Sequence, residues 1–301
     1  MTTTRVAAVD CGTNSIRLLV ADLDPETGAL HELDRRMTIV RLGQGVDRTG
    51  RLAPEALERT FAACRDYAAV IEELGATRLR FVATSASRDA ENRDEFTAGV
   101  REILGVDPEV ISGDEEAQLS FTGATKELNG EHGPYLVFDL GGGSTEFVLG
   151  SESVQAARSV DIGCVRMTER HGEDYLSMRA DIKKALDQAA EAVPLDTNAT
   201  LVGLAGTVTT VAAIALGLPA YDSAAIHRSR IPVADVRAVT ERLLGSTHEE
   251  RAAIPVMHPG RVDVIVAGAL VLLAVMERTG AAELVVSEHD ILDGIAWSTV
   301  L

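Results

Sequence analysis

Short apolar runs alternate with longer stretches of helical period along the whole chain. Val6 to Val9 and Ile16 to Val20 read as two strands bounded by polar turn residues, and Leu30 to Leu42 as a further extended stretch. Pro54 then opens a helix whose apolar positions Leu57, Phe61, Cys64, Tyr67, Val70 and Ile71 recur close to every 3.6 residues. Arg78 to Ala83 is a strand that stops at the Thr84 to Arg88 turn. A helix follows around Arg93 to Leu104, then the strand Glu109 to Ile111 and a helix starting at Gly113. The second half continues the alternation with a hairpin over 135–149, a helix over 177–192, the strand Thr200 to Leu204, a helix from Thr207, helices over 233–244 and 261–278, the strand Glu283 to Val286, and a last helix from about Asp290. Val264 to Met276 is the longest uncharged apolar stretch; it is too short for a bilayer and predicts a buried helix, closed by Gly280 at its C-cap. Such alternation predicts an α/β protein with mixed sheets.

One pattern occurs twice. Ala8-Val9-Asp10-Cys11-Gly12-Thr13-Asn14-Ser15 and Val137-Phe138-Asp139-Leu140-Gly141-Gly142-Gly143-Ser144 share an Asp-x-Gly-x-x-Ser skeleton between apolar strands. A tight glycine turn leaves backbone N–H groups pointing outward to cradle an anion, and the Asp beside it suits a hard cation. Either copy alone reads equally well as an ordinary β-turn; the matched pair points to phosphate chemistry. Two facing hairpins would clamp a phosphate chain and its Mg²⁺ from both sides. With 301 residues, 46% of them apolar, the chain can bury a large core, and the repeat predicts two similar halves.

Charge narrows the partners. A net charge of −18 excludes a broad basic surface for nucleic acid or acidic membranes. The three lysines, Lys126, Lys183 and Lys184, follow no Gly-rich loop of the P-loop kind, so phosphate must be met by a cation, backbone amides and arginines. Three scattered cysteines, Cys11, Cys64 and Cys164, predict reduced thiols rather than a disulfide framework or a metal cluster. The first strand meets Asp10 with no apolar leader before it, so a cytoplasmic protein is expected.

Three further segments carry chemistry. In Ile111-Ser112-Gly113-Asp114-Glu115-Glu116, acidic residues occupy the first turn of a helix, where Asp114 and Glu115 serve as well for capping, while Glu116 could orient a water for attack on phosphorus. Gly206 and Thr207 lead a buried strand into a helix and leave amides, that of Val208 among them, for an anion; close helix packing explains the glycine equally well. Arg88 follows a strand end as a phosphate clamp would, with Arg17, Arg41 and Arg93 as weaker candidates.

These words, taken with Asp161-Ile162-Gly163-Cys164-Val165-Arg166 and Thr145-Glu146, stand in the order of the motifs of the exopolyphosphatase/guanosine pentaphosphate phosphohydrolase (Ppx/GppA) family, which the whole chain resembles. The resemblance implies a duplicated actin-like, ribonuclease-H-like fold: a first domain over 1–125 plus 289–301, a second over 126–288, and the active site in an interdomain cleft. It further implies Glu116 as catalytic base and Arg88 as phosphate-binding arginine. Gly12, Thr13, Asn14, Ser15, Gly141, Gly142, Gly143, Ser144, Gly206 and Thr207 become phosphate contacts, and Asp139 and Glu146, supported by Asp10, become carboxylates for Mg²⁺ or Mn²⁺. The implied activity is release of orthophosphate from the end of short to medium inorganic polyphosphate by a homodimer, since longer members carry C-terminal helical domains that this chain lacks. Guanosine pentaphosphate or another nucleotide is the alternative substrate. A sugar-kinase-type phosphotransferase and a non-catalytic phosphate sensor are the readings it disfavours.

Overall fold

The computed structural model describes residues 3–126, 128 and 133–300. Leu301, the end of the expected last helix, lies outside them. Two compact units result, residues 1–126 with 291–301 and residues 127–290.

The first unit is built on a sheet of β1 (Thr4–Cys11), β2 (Ser15–Asp24), β3 (Ala29–Ile39), β4 (Arg78–Ala83) and β5 (Glu109–Val110), in the order β3-β2-β1-β4-β5. β1, β2 and β3 form an antiparallel meander; β4 lies parallel to β1, and β5 parallel to β4. The short α1 (Val46–Thr49) precedes α2 (Pro54–Leu74), which has Pro54 in its first turn and Gly75 at φ 69° as its C-cap. α3 (Ser85–Asp89), α4 (Arg93–Leu104) and α5 (Gly113–Thr125) complete the sequence to residue 126. Helix α2 lies so close to α4 that a Cβ on Gly99 would sit 2.3 Å from the Phe61 ring.

The second unit has a sheet of β6 (Tyr135–Leu140), β7 (Thr145–Gly150), β8 (Val154–Val160), β9 (Thr200–Leu204), β10 (Arg230–Pro232) and β11 (Glu283–Val286), ordered β10-β11-β9-β6-β7-β8. Again three strands meander antiparallel, and β9 runs parallel to the inner one. The helices are α6 (Cys164–His171), α7 (Tyr175–Ala190), α8 (Ala205–Ala215), α9 (Ser223–Ile226), α10 (Val233–Gly245), α11 (His248–Ala252) and α12 (Ile265–Thr279). α12 is apolar on every side and is buried along most of its length, as its sequence predicts for a core helix, and Gly280 closes it in the left-handed conformation. The last helix, α13 (Ile291–Ser298), belongs to the first unit. There it packs on α5 so tightly that a Cβ on Gly294 would meet the Leu119 carbonyl at 2.0 Å, and its buried Asp293 takes two hydrogen bonds from Arg35 of β3.

Both units therefore repeat one plan, as the paired hairpins predict, and the fold is the duplicated, actin-like α/β architecture that the family resemblance implies. Some elements depart from the sequence pattern. The Thr84–Arg88 segment is a short helix rather than a turn, α8 starts two residues before Thr207, and the predicted helix over 261–278 begins as a 3-10 turn, Pro259–Arg261, before α12. β8 and α6 went unpredicted, because an edge strand exposed at Gln155 and Arg158, three residues apart and out of strand period, and an eight-residue helix carry little periodic signal.

Candidate active site

The two hairpin turns are superposable in their bonding. Gly12 N–H donates to the Ser15 carbonyl at 3.0 Å in the first, and Gly141 N–H to the Ser144 carbonyl at 3.0 Å in the second. In each, a later chain segment takes up the turn's carbonyls. Val40 and Arg41 N–H donate to the Asn14 carbonyl, and Gly43 N–H to that of Thr13. In the second, Gly163 donates to the Gly143 carbonyl, Cys164 to that of Gly141, and Val165 and Arg166 to that of Gly142. Peptide carbonyls held from behind turn the N–H groups outward: the amides of Thr13, Asn14, Gly142, Gly143 and Ser144 donate no hydrogen bond among the described residues. This is an anion cradle in duplicate.

Close backing demands small residues at two places. A Cβ on Gly43 would lie 2.3 Å from Thr13 Cγ2, and one on Gly163 would lie 2.2 Å from the carbonyl carbon and oxygen of Gly142. Gly163 belongs to a motif that the sequence singles out, yet its task as the backing of the second turn follows only from the fold.

In the first unit the carboxyl ends of β1, β4 and β5 bring further groups to the turn. Thr84 N–H donates to the Cys11 carbonyl and Ile111 N–H to that of Ala83, so the starts of α3 and α5 lie along one sheet edge. Arg88 Nη1 donates to Glu116 Oε2 at 3.1 Å and to the Ile111 carbonyl at 3.0 Å. The Glu116 side chain is 10% exposed, whereas its neighbour Glu115 is 45% exposed and accepts from surface Arg80 at 2.8 Å. That contrast separates the two acids: Ser112 Oγ caps α5 through the Glu115 amide, Glu115 forms a surface ion pair, and Glu116 turns inward. Two buried hydroxyls here, Thr13 Oγ1 and Ser87 Oγ, have no hydrogen-bond partner. An unsatisfied buried hydroxyl costs roughly 1–3 kcal/mol, which a bound phosphate oxygen would recover. Ser87 stands in the Thr84–Arg88 segment that the sequence singles out, although only Arg88 of that segment was a candidate for the site.

Asp10 stands opposite Arg17 in the β1–β2 register, and Arg17 Nε and Nη2 both donate to its Oδ2, at 3.0 and 2.7 Å. Of the weaker arginine candidates, Arg17 therefore joins the site edge, Arg41 contributes its backbone amide from a left-handed φ of 52°, and Arg93 is exposed at the start of α4.

In the second unit Asp139 stands opposite Glu146, and directly opposed side chains share a sheet face. Both are buried, and Ser159 Oγ of β8 donates to Glu146 Oε1 at 2.7 Å. Two carboxylates beside a glycine turn offer only hard oxygen donors. They fit a divalent ion such as Mg²⁺, which keeps several waters and phosphate oxygens in its shell and needs one or two protein carboxylates. Among the described residues no three His, Cys, Asp or Glu side chains gather as a closed cage, the arrangement that a structural metal would need.

α8 starts without a side-chain cap, and its first residue, Ala205, adopts φ 70°, so the Gly206 and Thr207 amides remain open at a helix N-terminus. The earlier start makes Val208 the fourth residue of α8, within reach of the intrahelical ladder, so its amide is not one of the open ones. Arg261 Nη1 donates to the Gly206 carbonyl and to Thr210 Oγ1, each at 2.9 Å. A Cβ on Gly206 would lie 2.1 Å from that guanidinium, so both readings of this glycine hold: it permits close packing and it leaves an open helix end. Burial pushes the Cys164 thiol above its ordinary value against an opposing hydrogen bond with Thr207, which makes this cysteine a packed, inert neighbour of the site. Arg261 lay outside the sequence candidates; its only signal is the His-Pro-Gly-Arg turn ahead of α12.

A duplicated actin-like fold with two amide cradles, a buried carboxylate bonded to arginine and a pair of acidic residues defines a phosphoryl-transfer protein. Similarity to known proteins specifies the class. The model of the Ppx/GppA phosphatase family matches residues 19–301, and the chain belongs to that family. Exopolyphosphatase 2 of Mycobacterium tuberculosis (strain ATCC 25618 / H37Rv) is 53% identical over 99% of this chain and 99% of that protein. The crystal structure of an exopolyphosphatase-like protein superposes with a TM-score of 0.94 at 44% identity, covering 99% of this chain and 98% of that one. An Aquifex aeolicus Ppx/GppA family member gives a TM-score of 0.83 at 30% identity over 99% and 98% of the two chains.

Proposed function

We propose that this chain is an exopolyphosphatase that removes the terminal phosphate of inorganic polyphosphate by direct attack of water. The geometric observation that carries the reading is the buried Glu116 carboxylate held at 3.1 Å by Arg88, and the 53% identity to an exopolyphosphatase over nearly the full chain supports the substrate class.

Glu116 accepts a proton from the attacking water as the new oxygen–phosphorus bond forms and the bridging bond to the rest of the chain breaks. The products are orthophosphate and a polyphosphate one unit shorter. Arg88 fixes the carboxylate and, with the open amides of the two turns and of Gly206 and Thr207, holds the non-bridging oxygens; loss of one such donor typically lowers the rate about 10²–10³-fold. Asp139 and Glu146 would hold Mg²⁺ or Mn²⁺, which when bound neutralises charge on the phosphate oxygens. Asp10, already bonded to Arg17, serves as support for the first turn. The reading requires residues of both units to serve one substrate, and rate losses that are not additive in Glu116 and Asp139 double variants would express that coupling. A reducing, cytoplasmic setting agrees with three buried free cysteines and with the absence, among the described residues, of a helix long and apolar enough to cross a membrane. A homodimer is the assembly that the family resemblance implies.

The deciding experiment measures phosphate release from polyphosphates of several lengths, guanosine pentaphosphate and ATP under the same conditions. Polyphosphate should give the highest kcat/KM. Efficient release from guanosine pentaphosphate with none from polyphosphate would overturn the assignment.

A further inference from the structure

A polar cavity of about 300 Å³ opens in the second unit where the edge strand β8 meets α7 and the end of α6. Its charged lining is Arg158, Asp161, Arg170, Asp181 and Lys184. The two carboxylates are already engaged. Asp181 accepts from Arg170 Nη1 at 2.7 Å and lies 3.0 Å from His171 Nε2; burial works to raise its pKa, and hydrogen bonding to Arg170 and His171 outweighs it and holds the carboxyl below its usual range. Asp161 faces Arg166 at 3.8 Å. Arg158 and Lys184 have no ion pair among the described residues. What this cavity gathers is three basic side chains, Arg158, Arg170 and Lys184, of which Arg170 alone is paired with a carboxylate.

We infer that this cavity is a second oxyanion site, selective for free inorganic phosphate or pyrophosphate, with Arg158 and Lys184 as its binding charges. An Arg fork beside a Lys ammonium matches the oxygens of a phosphate group. The size suits one or two phosphate units, and no aromatic side chain lines the wall to stack a nucleobase. Ser159, whose hydroxyl reaches Glu146, also borders this cavity, but successive residues of a strand face opposite ways, so the adjacent Arg158 side chain projects from the face of β8 away from Glu146. The inference rests on the charges of this cavity and not on the substrate assigned above.

Equilibrium dialysis of labelled orthophosphate against the full chain, in excess chelator, tests it. Arg158→Ala/Lys184→Ala should weaken binding at least about tenfold, the loss expected for two charge-assisted contacts, with steady-state turnover of polyphosphate unchanged. Arg158→Lys/Lys184→Arg keeps both charges and should retain binding, which guards against a folding defect. Unlabelled pyrophosphate should displace the label and ADP should not. Binding that survives in the alanine double variant but disappears in Arg88→Ala would place the phosphate at the catalytic turn alone and overturn the inference, as would displacement by ADP as effective as by pyrophosphate.

Discussion

Arg17 and Glu146 hold the same register position in two hairpins of one design, Arg17 opposite Asp10 and Glu146 opposite Asp139. One substitution in the repeat thus makes the first hairpin a neutralised acid–base pair and the second a doubly acidic one. Arginine bonded to Asp10 Oδ2 leaves that carboxylate little need of another cation, whereas the second hairpin sets two buried carboxylates on one face, a pair of hard oxygen donors that suits a divalent cation.

The division predicts where metal dependence resides. Asp139→Asn and Glu146→Gln should each raise the Mg²⁺ or Mn²⁺ concentration for half-maximal activity more than Asp10→Asn does, and excess chelator should abolish turnover reversibly. A metal titration of steady-state phosphate release checks this. A larger shift for Asp10→Asn would reverse the roles of the two hairpins.

Replacing Glu116 by Gln keeps its size and its hydrogen bond from Arg88 but removes the base. Turnover should fall at least about 10²-fold with substrate binding retained, while Glu115→Gln, which breaks only a surface pair with Arg80, should stay within a few-fold of wild type. Near-normal turnover of Glu116→Gln would leave that residue as part of the α5 first turn and nothing more.

Much of this arrangement was legible in the chain because its signals are local. The Asp-x-Gly-x-x-Ser repeat announced both turns, the strand Arg78–Ala83 and the helix Arg93–Leu104 have the predicted ends, and Gly280 caps α12. What the chain could not reveal depends on segments distant in sequence. The backing of the second turn by residues 163–166, the Arg261 guanidinium against Gly206 and the orphan hydroxyl of Ser87 exist only after folding. Glu115 and Glu116 are the clearest instance: neighbours of one chemical type, separated by which side of α5 faces inward.

Gly163→Ala should destabilise the second unit. The added Cβ would lie 2.2 Å from the Gly142 carbonyl group, backbone that cannot swing aside, so a loss of about 1–3 kcal/mol or more is expected together with a drop in kcat as the amide cradle distorts. Gly245→Ala at the end of α10 meets nothing within 4 Å and should be neutral or slightly stabilising. Thermal melts of the two variants make the comparison.

Acid should weaken the first unit in part through Asp22. A hydrogen-bonded pair with Arg5 Nε and Nη2 holds this carboxyl below its ordinary value, so its contribution is fully present above the unfolded pKa, near 4, and is lost as pH falls through the lower folded value. Denaturant midpoints measured from neutral pH to pH 2 should therefore decline less steeply for Asp22→Asn than for wild type at the acidic end. Parallel curves would show that the pair adds nothing to the pH dependence.

Chain-length preference follows from the charge of the whole molecule. A surface of net charge −18 repels every part of a polyanion not held in a local positive site, and that repulsion grows with the length left outside. Short and medium polyphosphates should therefore show the higher kcat/KM, and raising the ionic strength should narrow the gap by screening the long chains' repulsion. Kinetics on chains of a few phosphates and of hundreds, at fixed free Mg²⁺ and two salt concentrations, resolve this. Higher efficiency on the longest chains at low salt, with processive product distributions, would require a cationic track that attracts the distal chain despite the net charge.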